Sequence, residues 1–161
     1  MWKMLDCQVE STCCMPAVAT ILLVDDDTKI LHSLQILLEV EGYRVLTAPD
    51  GEVGAAITAM QRPDLIVTDW MMPHVAGVEF CHRLKDDPAT SRIPIAMLSS
   101  ALHPAPTAPP WNVFLRKPVP VKRLLEVIAS LLDERVLSVR STDIAPPATD
   151  AGLMQRTDPM N

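Results

Sequence analysis

Ile21-Leu22-Leu23-Val24-Asp25-Asp26-Asp27 decides the fold: four consecutive apolar residues stop abruptly at three carboxylates. A strand that is apolar at every position has both faces covered, as in parallel sheets flanked by helices. The acids place a polar site at its carboxyl end. Downstream, Ile30, Leu31, Leu34, Leu37 and Leu38 recur at helical spacing from Thr28 until Gly42, with Asp27 as the capping residue. Tyr43 to Ala48 reads as a second strand, and Gly51 to Met60 as a helix with Val53, Ala56, Ile57 and Met60 inward, ended by Pro63. Leu65-Ile66-Val67-Thr68 is a third apolar run, again terminated by an acid, Asp69. Val78, Cys81 and Leu84 mark one face of a third helix. Ile93 to Leu98 then runs into Ser99-Ser100, and Val113-Phe114-Leu115 into Arg116-Lys117-Pro118. Val121, Leu124, Leu125, Ile128, Leu131 and Leu132 form an amphipathic last helix. Parallel strands need crossover connections, so the pattern predicts a doubly wound five-stranded parallel α/β sheet.

The chain has 161 residues, 48% of them hydrophobic and 21% charged, which fits one globular domain with tails. The expected divisions are a flexible leader over 1–19, the domain over 20–137 and a disordered tail over 138–161. Met15 is a candidate start, because the patterned sequence begins just after it. The net charge of -6, without a basic run, argues against direct nucleic-acid binding. The apolar runs are strand-sized, so no membrane insertion is expected. Cys7, Cys13 and Cys14 lack a second ligand cluster for zinc and read as reduced thiols, with Cys81 buried, which points to a cytoplasmic location. His32, His74, His82 and His103 read as surface histidines. Trp70 and Trp111 read as packing groups beside the site, and Arg83, Lys85 and Arg92 as a solvated cluster near Asp86-Asp87.

In open parallel sheets, residues ending different strands converge beyond the carboxyl edge. Here those residues are Asp25 and Asp26, Asp69, Ser99 and Lys117. Three clustered carboxylates repel one another, and a hard divalent cation such as Mg2+ relieves this with oxygen ligands. A lysine and a hydroxyl beside them suit a phosphoryl group. Asp69, alone at a central strand end, is the nucleophile that would form an aspartyl phosphate, with Asp25 and Asp26 left for the metal.

These residues resemble the receiver domain of two-component response regulators, similar to the single-domain chemotaxis type. The matching motifs are Val24-Asp25-Asp26-Asp27, Asp69-Trp70-Met71-Met72-Pro73 with Gly77, Met97-Leu98-Ser99-Ser100, and Lys117-Pro118, over about residues 20–135. The resemblance implies Asp69 as phosphoacceptor and Asp26 as a direct Mg2+ ligand, with Asp69 itself in the metal set. It implies Asp25 as a ligand through water and Met71 as one through its carbonyl. Ser99 would be the switch hydroxyl, Lys117 the phosphate-contacting lysine and Phe114 the aromatic that follows the hydroxyl inward. The implied donor is a phosphohistidine on a histidine kinase or phosphotransfer protein, and the implied output a switched protein contact in a phosphorelay, made by a stand-alone receiver with an unknown downstream protein target.

Two departures from the family pattern are legible. Pro104, Pro106, Pro109 and Pro110 fall where the family builds its fourth helix, and each interior proline costs a helix about 3 kcal/mol. A shortened helix or a proline-rich loop is expected there. Met71 and Ala101 occupy positions where polar side chains would hold the attacking water, so self-dephosphorylation is expected to be slow. Two rival readings remain. A pseudo-receiver would act without phosphorylation. A haloacid-dehalogenase-type phosphohydrolase would use Asp25, yet Lys29 stands where its motif wants Thr or Val.

Overall fold

The computed structural model describes residues 18–72, 76–100 and 108–142, the last five as backbone alone. Strands β1 (Thr20–Val24), β2 (Arg44–Ala48), β3 (Leu65–Asp69), β4 (Ile95–Ser99) and β5 (Val113–Arg116) interleave with four helices. These are α1 (Thr28–Val40), α2 (Gly51–Gln61), α3 (Gly77–Asp86) and α4 (Val121–Thr142). Every strand pair is parallel, and the spatial order is β2-β1-β3-β4-β5. This is the doubly wound flavodoxin-like sheet that the alternating runs call for.

The apolar runs are split between the two faces by the alternation of the pleat. Ile21, Leu23, Leu65, Val67, Ala96 and Leu98 face one core with Leu31 and Leu38 of α1 and Leu124, Val127, Ile128 and Leu131 of α4. Leu22, Val24, Ile66, Ile95 and Met97 face the other with Phe80, Cys81 and Leu84 of α3. Each fully buried Leu or Ile contributes about 1.5–3 kcal/mol relative to exposure. No helix among the described residues is long and apolar enough to cross a membrane.

Helix ends follow local chemistry. Asp27 caps α1, accepting from the amides of Lys29 at 2.8 Å and Ile30 at 3.4 Å, and Asp50 caps α2 through the amides of Glu52 and Val53. Gly42, just past α1, has φ +91°, which turns the chain into β2.

Three expectations need correction. The inward side of α2 is Gly51, Gly54 and Thr58, with Ile57 partly buried against the core as expected; Val53 and Met60 are exposed, as is Ala56. The small residues let the helix approach closely, and a Cβ on Gly54 would lie 3.2 Å from both Phe80 Cζ and Val24 Cγ2. Bulk is thus supplied by Phe80 of α3 rather than by α2. Lys85 is also not a solvated charge: it is half-buried, and its Nζ donates to the carbonyls of Ser91 and Ile93, each at 2.9 Å. Arg83 meanwhile pairs with Glu79 one helical turn back, at 2.7 Å. Finally, α4 continues past residue 137 to Thr142, with no proline in the sequence to stop it until Pro146.

Residues 108–112, the described part of the connection between β4 and β5, are bends without a helix. The expectations for Pro104, Pro106, Ala101 and His103 fall outside the described residues, as do those for His74, the leader cysteines and the tail beyond 142.

Candidate functional site

The carboxyl ends of β1 and β3 sit side by side, because Val24 is in register with Thr68. Asp25 therefore stands next to Asp69. Carboxylate oxygens of Asp25, Asp26 and Asp69 all lie within 4.8 Å of one another. Asp25 and Asp69 are 5% and 7% exposed, whereas Asp26 is open to solvent. Two buried carboxylates this close demand a counter-charge.

Lys117 supplies it. Its Nζ is 2.9 Å from Asp25 Oδ2 and 2.9 Å from Asp69 Oδ1. Burial alone would push the ammonium down, but its hydrogen bonds and charge contacts with Asp25 and Asp69 outweigh that and hold its pKa above the ordinary lysine value. The remaining oxygens are also fixed: Asp25 Oδ1 accepts from the Asp27 amide at 2.9 Å, and Asp69 Oδ2 from the Met71 amide at 3.1 Å. The lysine is aimed by its own backbone, whose amide donates to the Ser99 carbonyl at 2.8 Å, one step past the β4–β5 pairing of Ser99 with Arg116.

Ser99 is fully buried at the end of β4. Met71 is 62% exposed beside Asp69. Phe114 lies on β5 and is 36% exposed, with its ring centroid 6.1 Å from that of Trp70 and 6.3 Å from that of Trp111. Trp70 and Trp111 meet edge to face at 5.2 Å. The structure thus brings Asp25, Asp26, Asp69 and Lys117 together, sets Ser99 and Met71 on the adjoining chain, and holds Phe114 in an aromatic trio. Those packed aromatics were expected from Trp70 and Trp111 individually; their joint contact with Phe114 was not.

Gly77 has a role that spacing alone does not give. Its amide donates to the Trp70 carbonyl at 3.1 Å, and a Cβ placed on it would collide with the backbone carbonyl oxygen of Asp69. Gly77 can lie against the end of β3 only because that position lacks a side chain. The sequence signal is a glycine opening a helix whose N-cap, Ala76, offers no capping side chain.

Chemically, the donor set is all oxygen and anionic, with one exposed member and one lysine. That fits a hard divalent cation such as Mg2+, and it fits a phosphoryl oxygen meeting the lysine. Asp25, Asp26 and Asp69 are the side chains that would hold such an ion.

The profile of the family described as "Response regulator receiver domain" matches residues 21–129. Protein PilH of Pseudomonas aeruginosa is 31% identical over 121 residues, covering 71% of this chain and 98% of that protein. The phosphate regulon transcriptional regulatory protein PhoB of the same organism is 42% identical over 81 residues, or 50% of this chain. The chain spans only 35% of PhoB and 52% of the transcriptional regulator RpaA of Synechocystis. Among solved structures, a CheY-like receiver domain protein from Methanospirillum hungatei superposes with a TM-score of 0.69 at 28% identity, covering 76% of this chain and 99% of that one. The chemotaxis protein CheY4 of Vibrio cholerae gives 0.63 at 29% identity, over 71% and 99%.

Proposed function

The chain belongs to the response regulator receiver family of two-component systems, and on that premise we propose that it accepts a phosphoryl group on Asp69 from a phosphohistidine donor, a histidine kinase or a phosphotransfer protein. The observation that carries this is Lys117 Nζ set 2.9 Å from oxygens of both Asp25 and Asp69 beside an exposed Asp26.

An Asp69 carboxylate oxygen attacks phosphorus, an O–P bond forms, and the N–P bond of the phosphohistidine breaks, with the leaving imidazole taking a proton from solvent. The Met71 amide and the Lys117 ammonium orient the Asp69 carboxylate, and Lys117 also meets the charge arriving on the phosphoryl oxygens. Mg2+ held by Asp25, Asp26 and Asp69, with the Met71 carbonyl, would neutralise those oxygens further. Ser99 donates to the attached group, and its approach frees space toward Phe114. The protein is in this reading a phosphoacceptor that switches protein contacts, not a turnover enzyme. The location is proposed as cytoplasmic, where a kinase and Mg2+ are both available.

The test is intact mass after incubation with acetyl phosphate and Mg2+, for the wild-type chain and Asp69→Ala. The expected result is a gain of one phosphoryl group that requires both Mg2+ and Asp69. No gain where a control receiver is labelled would favour a pseudo-receiver. Turnover of a generic phosphomonoester that dies with Asp25→Ala and survives Asp69→Ala would favour a haloacid-dehalogenase-type hydrolase.

A further inference from the structure

A cavity lies at the opposite end of the sheet from the acidic site. It holds about 520 Å³ and is walled by the loop between α3 and β4, by Asn112 just ahead of β5, and by the C-terminal half of α4. β4 is five residues long and carries Ser99 at its far end, so about 15 Å of strand separates this cavity from Asp69 and Lys117. The volume falls within the range of about 300–1,000 Å³ that small-molecule sites occupy. Its floor is apolar, made of Ile93, Pro94 and Leu131, all three buried.

The rim is rich in donors and short of acceptors. Lys85, Arg92 and Arg135 line it against one acid, Glu134, while Asp86 and Asp87 at the end of α3 lie outside it. Arg92 is exposed and has no partner among the described residues. Arg135 engages the Pro63 carbonyl at 2.9 Å and Asp64 Oδ1 at 3.4 Å through Nη1, and a guanidinium with five N–H donors has more to give than these two contacts use. Asn112 accepts from the Ile95 amide through Oδ1 at 2.9 Å, which leaves its side-chain NH2 as a further donor. The same kind of bond fixes the walls. Lys85 Nζ ties down the Ser91 and Ile93 carbonyls, each at 2.9 Å, Thr90 Oγ1 donates to the Leu84 carbonyl at 2.7 Å, and the Asn112 amide donates to the Ile95 carbonyl at 2.9 Å. The cavity is thus formed before any ligand arrives, as small-molecule sites usually are.

We propose that this cavity binds a small organic anion, a carboxylate or phosphate head on a flat apolar body. The head meets Arg92 and Arg135, and the body covers Ile93, Pro94 and Leu131. A guanidinium grips either head through two parallel N–H donors and stacks on flat rings, so the two heads share one chemistry. A neutral apolar ligand would leave the cations unmatched, and a bare inorganic anion would leave the floor in water. The site does not rest on the phosphoacceptor reading: it lies at the other end of β4 and uses none of Asp25, Asp26, Asp69 or Lys117.

The experiment is a 1H–15N NMR titration of the full chain in chelator with 2-naphthoate and, separately, with 2-naphthyl phosphate. Saturable shifts are expected at the amides of residues 89–95 and of Asn112, with a Kd of about 1 mM or tighter for probes of this size. Whichever probe binds more tightly names the head. Inorganic phosphate and neutral 2-naphthamide should each bind at least tenfold more weakly than the better probe. Arg92→Glu and Ala89→Glu, both at exposed positions on the rim, should weaken binding at least tenfold, while Arg123→Glu at the start of α4 should bind as wild type does; circular dichroism reports whether each variant is folded. The proposal is overturned if the shifts do not saturate, if they centre on Asp25, Asp69 and Lys117, or if 2-naphthamide binds as well as the anions. It is equally overturned if Arg92→Glu binds as tightly as wild type, or if the same amides shift with protein concentration alone, which would assign the cavity to a second copy.

Discussion

Gly77→Ala should destabilise the protein although alanine is the better helix former. At an ordinary helical position the exchange gains up to about 1 kcal/mol, mostly by restricting the unfolded chain. At Gly77 the new Cβ meets the carbonyl oxygen of Asp69, part of a backbone pinned by the β3–β4 ladder and by the Trp70 amide, which donates to the Leu98 carbonyl at 2.7 Å. A flexible side chain could yield; this backbone must shift the whole strand end. Overpacking of this kind costs about 1–3 kcal/mol, and against fixed backbone the upper end applies, leaving a net loss of about 2 kcal/mol. For a domain of this size that lowers Tm by roughly 5–10 °C. Urea and thermal unfolding measure it, with Gly54→Ala as the internal control. There the nearest atoms are side-chain atoms of Phe80 and Val24 at 3.2 Å, which yield by a few tenths of an ångström. Gly77→Ala should also slow phosphoryl uptake, because the shift moves Asp69 itself. A Gly77→Ala chain as stable as wild type, or less affected than Gly54→Ala, would refute the reasoning.

Asp27→Ala removes the carboxylate oxygen that accepts from two amides at the start of α1 and should cost about 1 kcal/mol in urea unfolding; no change would mean the cap is solvent-replaced. Lys117→Met leaves Asp25 and Asp69 without their counter-charge, so in chelator the variant should lose about 1–3 kcal/mol, and Mg2+ should restore part of it. Equal losses with and without Mg2+ would contradict the shared site. On the alkaline side, burial pushes the Cys81 thiol from 9.0 to about 12, against an opposing pull from Lys85. The unfolded chain therefore releases that proton first, and stability falls above pH 9.0 by up to about 1.4 kcal/mol per pH unit. Lys85, whose pKa burial lowers, works in the opposite direction, and Lys117, whose pKa is raised, adds to the loss at still higher pH. Cys81→Ala should flatten the slope measured by urea unfolding across this range. Phosphorylated protein should keep its phosphoryl group for many minutes, since the exposed Met71 side chain offers no acceptor to a hydrolytic water; a half-life of seconds by intact mass would contradict this.

The sheet was legible because each buried strand announces itself twice, by an unbroken apolar run and by the polar residue that ends it. Ile21 to Val24 before Asp25, and Leu65 to Thr68 before Asp69, carry that signal in full. Strand-end convergence then anticipates the gathering of Asp25, Asp26, Asp69 and Lys117 without any knowledge of side-chain geometry. What stayed hidden depends on who packs against whom. The inward face of α2 is small because Phe80 of another helix fills the space, and a hydrophobicity pattern read along one helix favours Val53 and Met60 instead. Lys85 looked solvated because its partners, the carbonyls of Ser91 and Ile93, are backbone groups with no sequence signature. The Trp70–Trp111–Phe114 trio joins two loops and a strand. Nothing local foretells it.

That trio also makes the site visible to light. The chain has three tryptophans, and two of them stand edge to face at 5.2 Å, with Trp70 covalently next to Asp69. Indoles held at that separation and angle couple their electronic transitions. Near-ultraviolet circular dichroism should then carry a strong signal from this one corner of the molecule. Any charge placed on or removed from Asp69 acts on a chromophore one peptide bond away, so the chain carries its own optical label for the state of its acidic site.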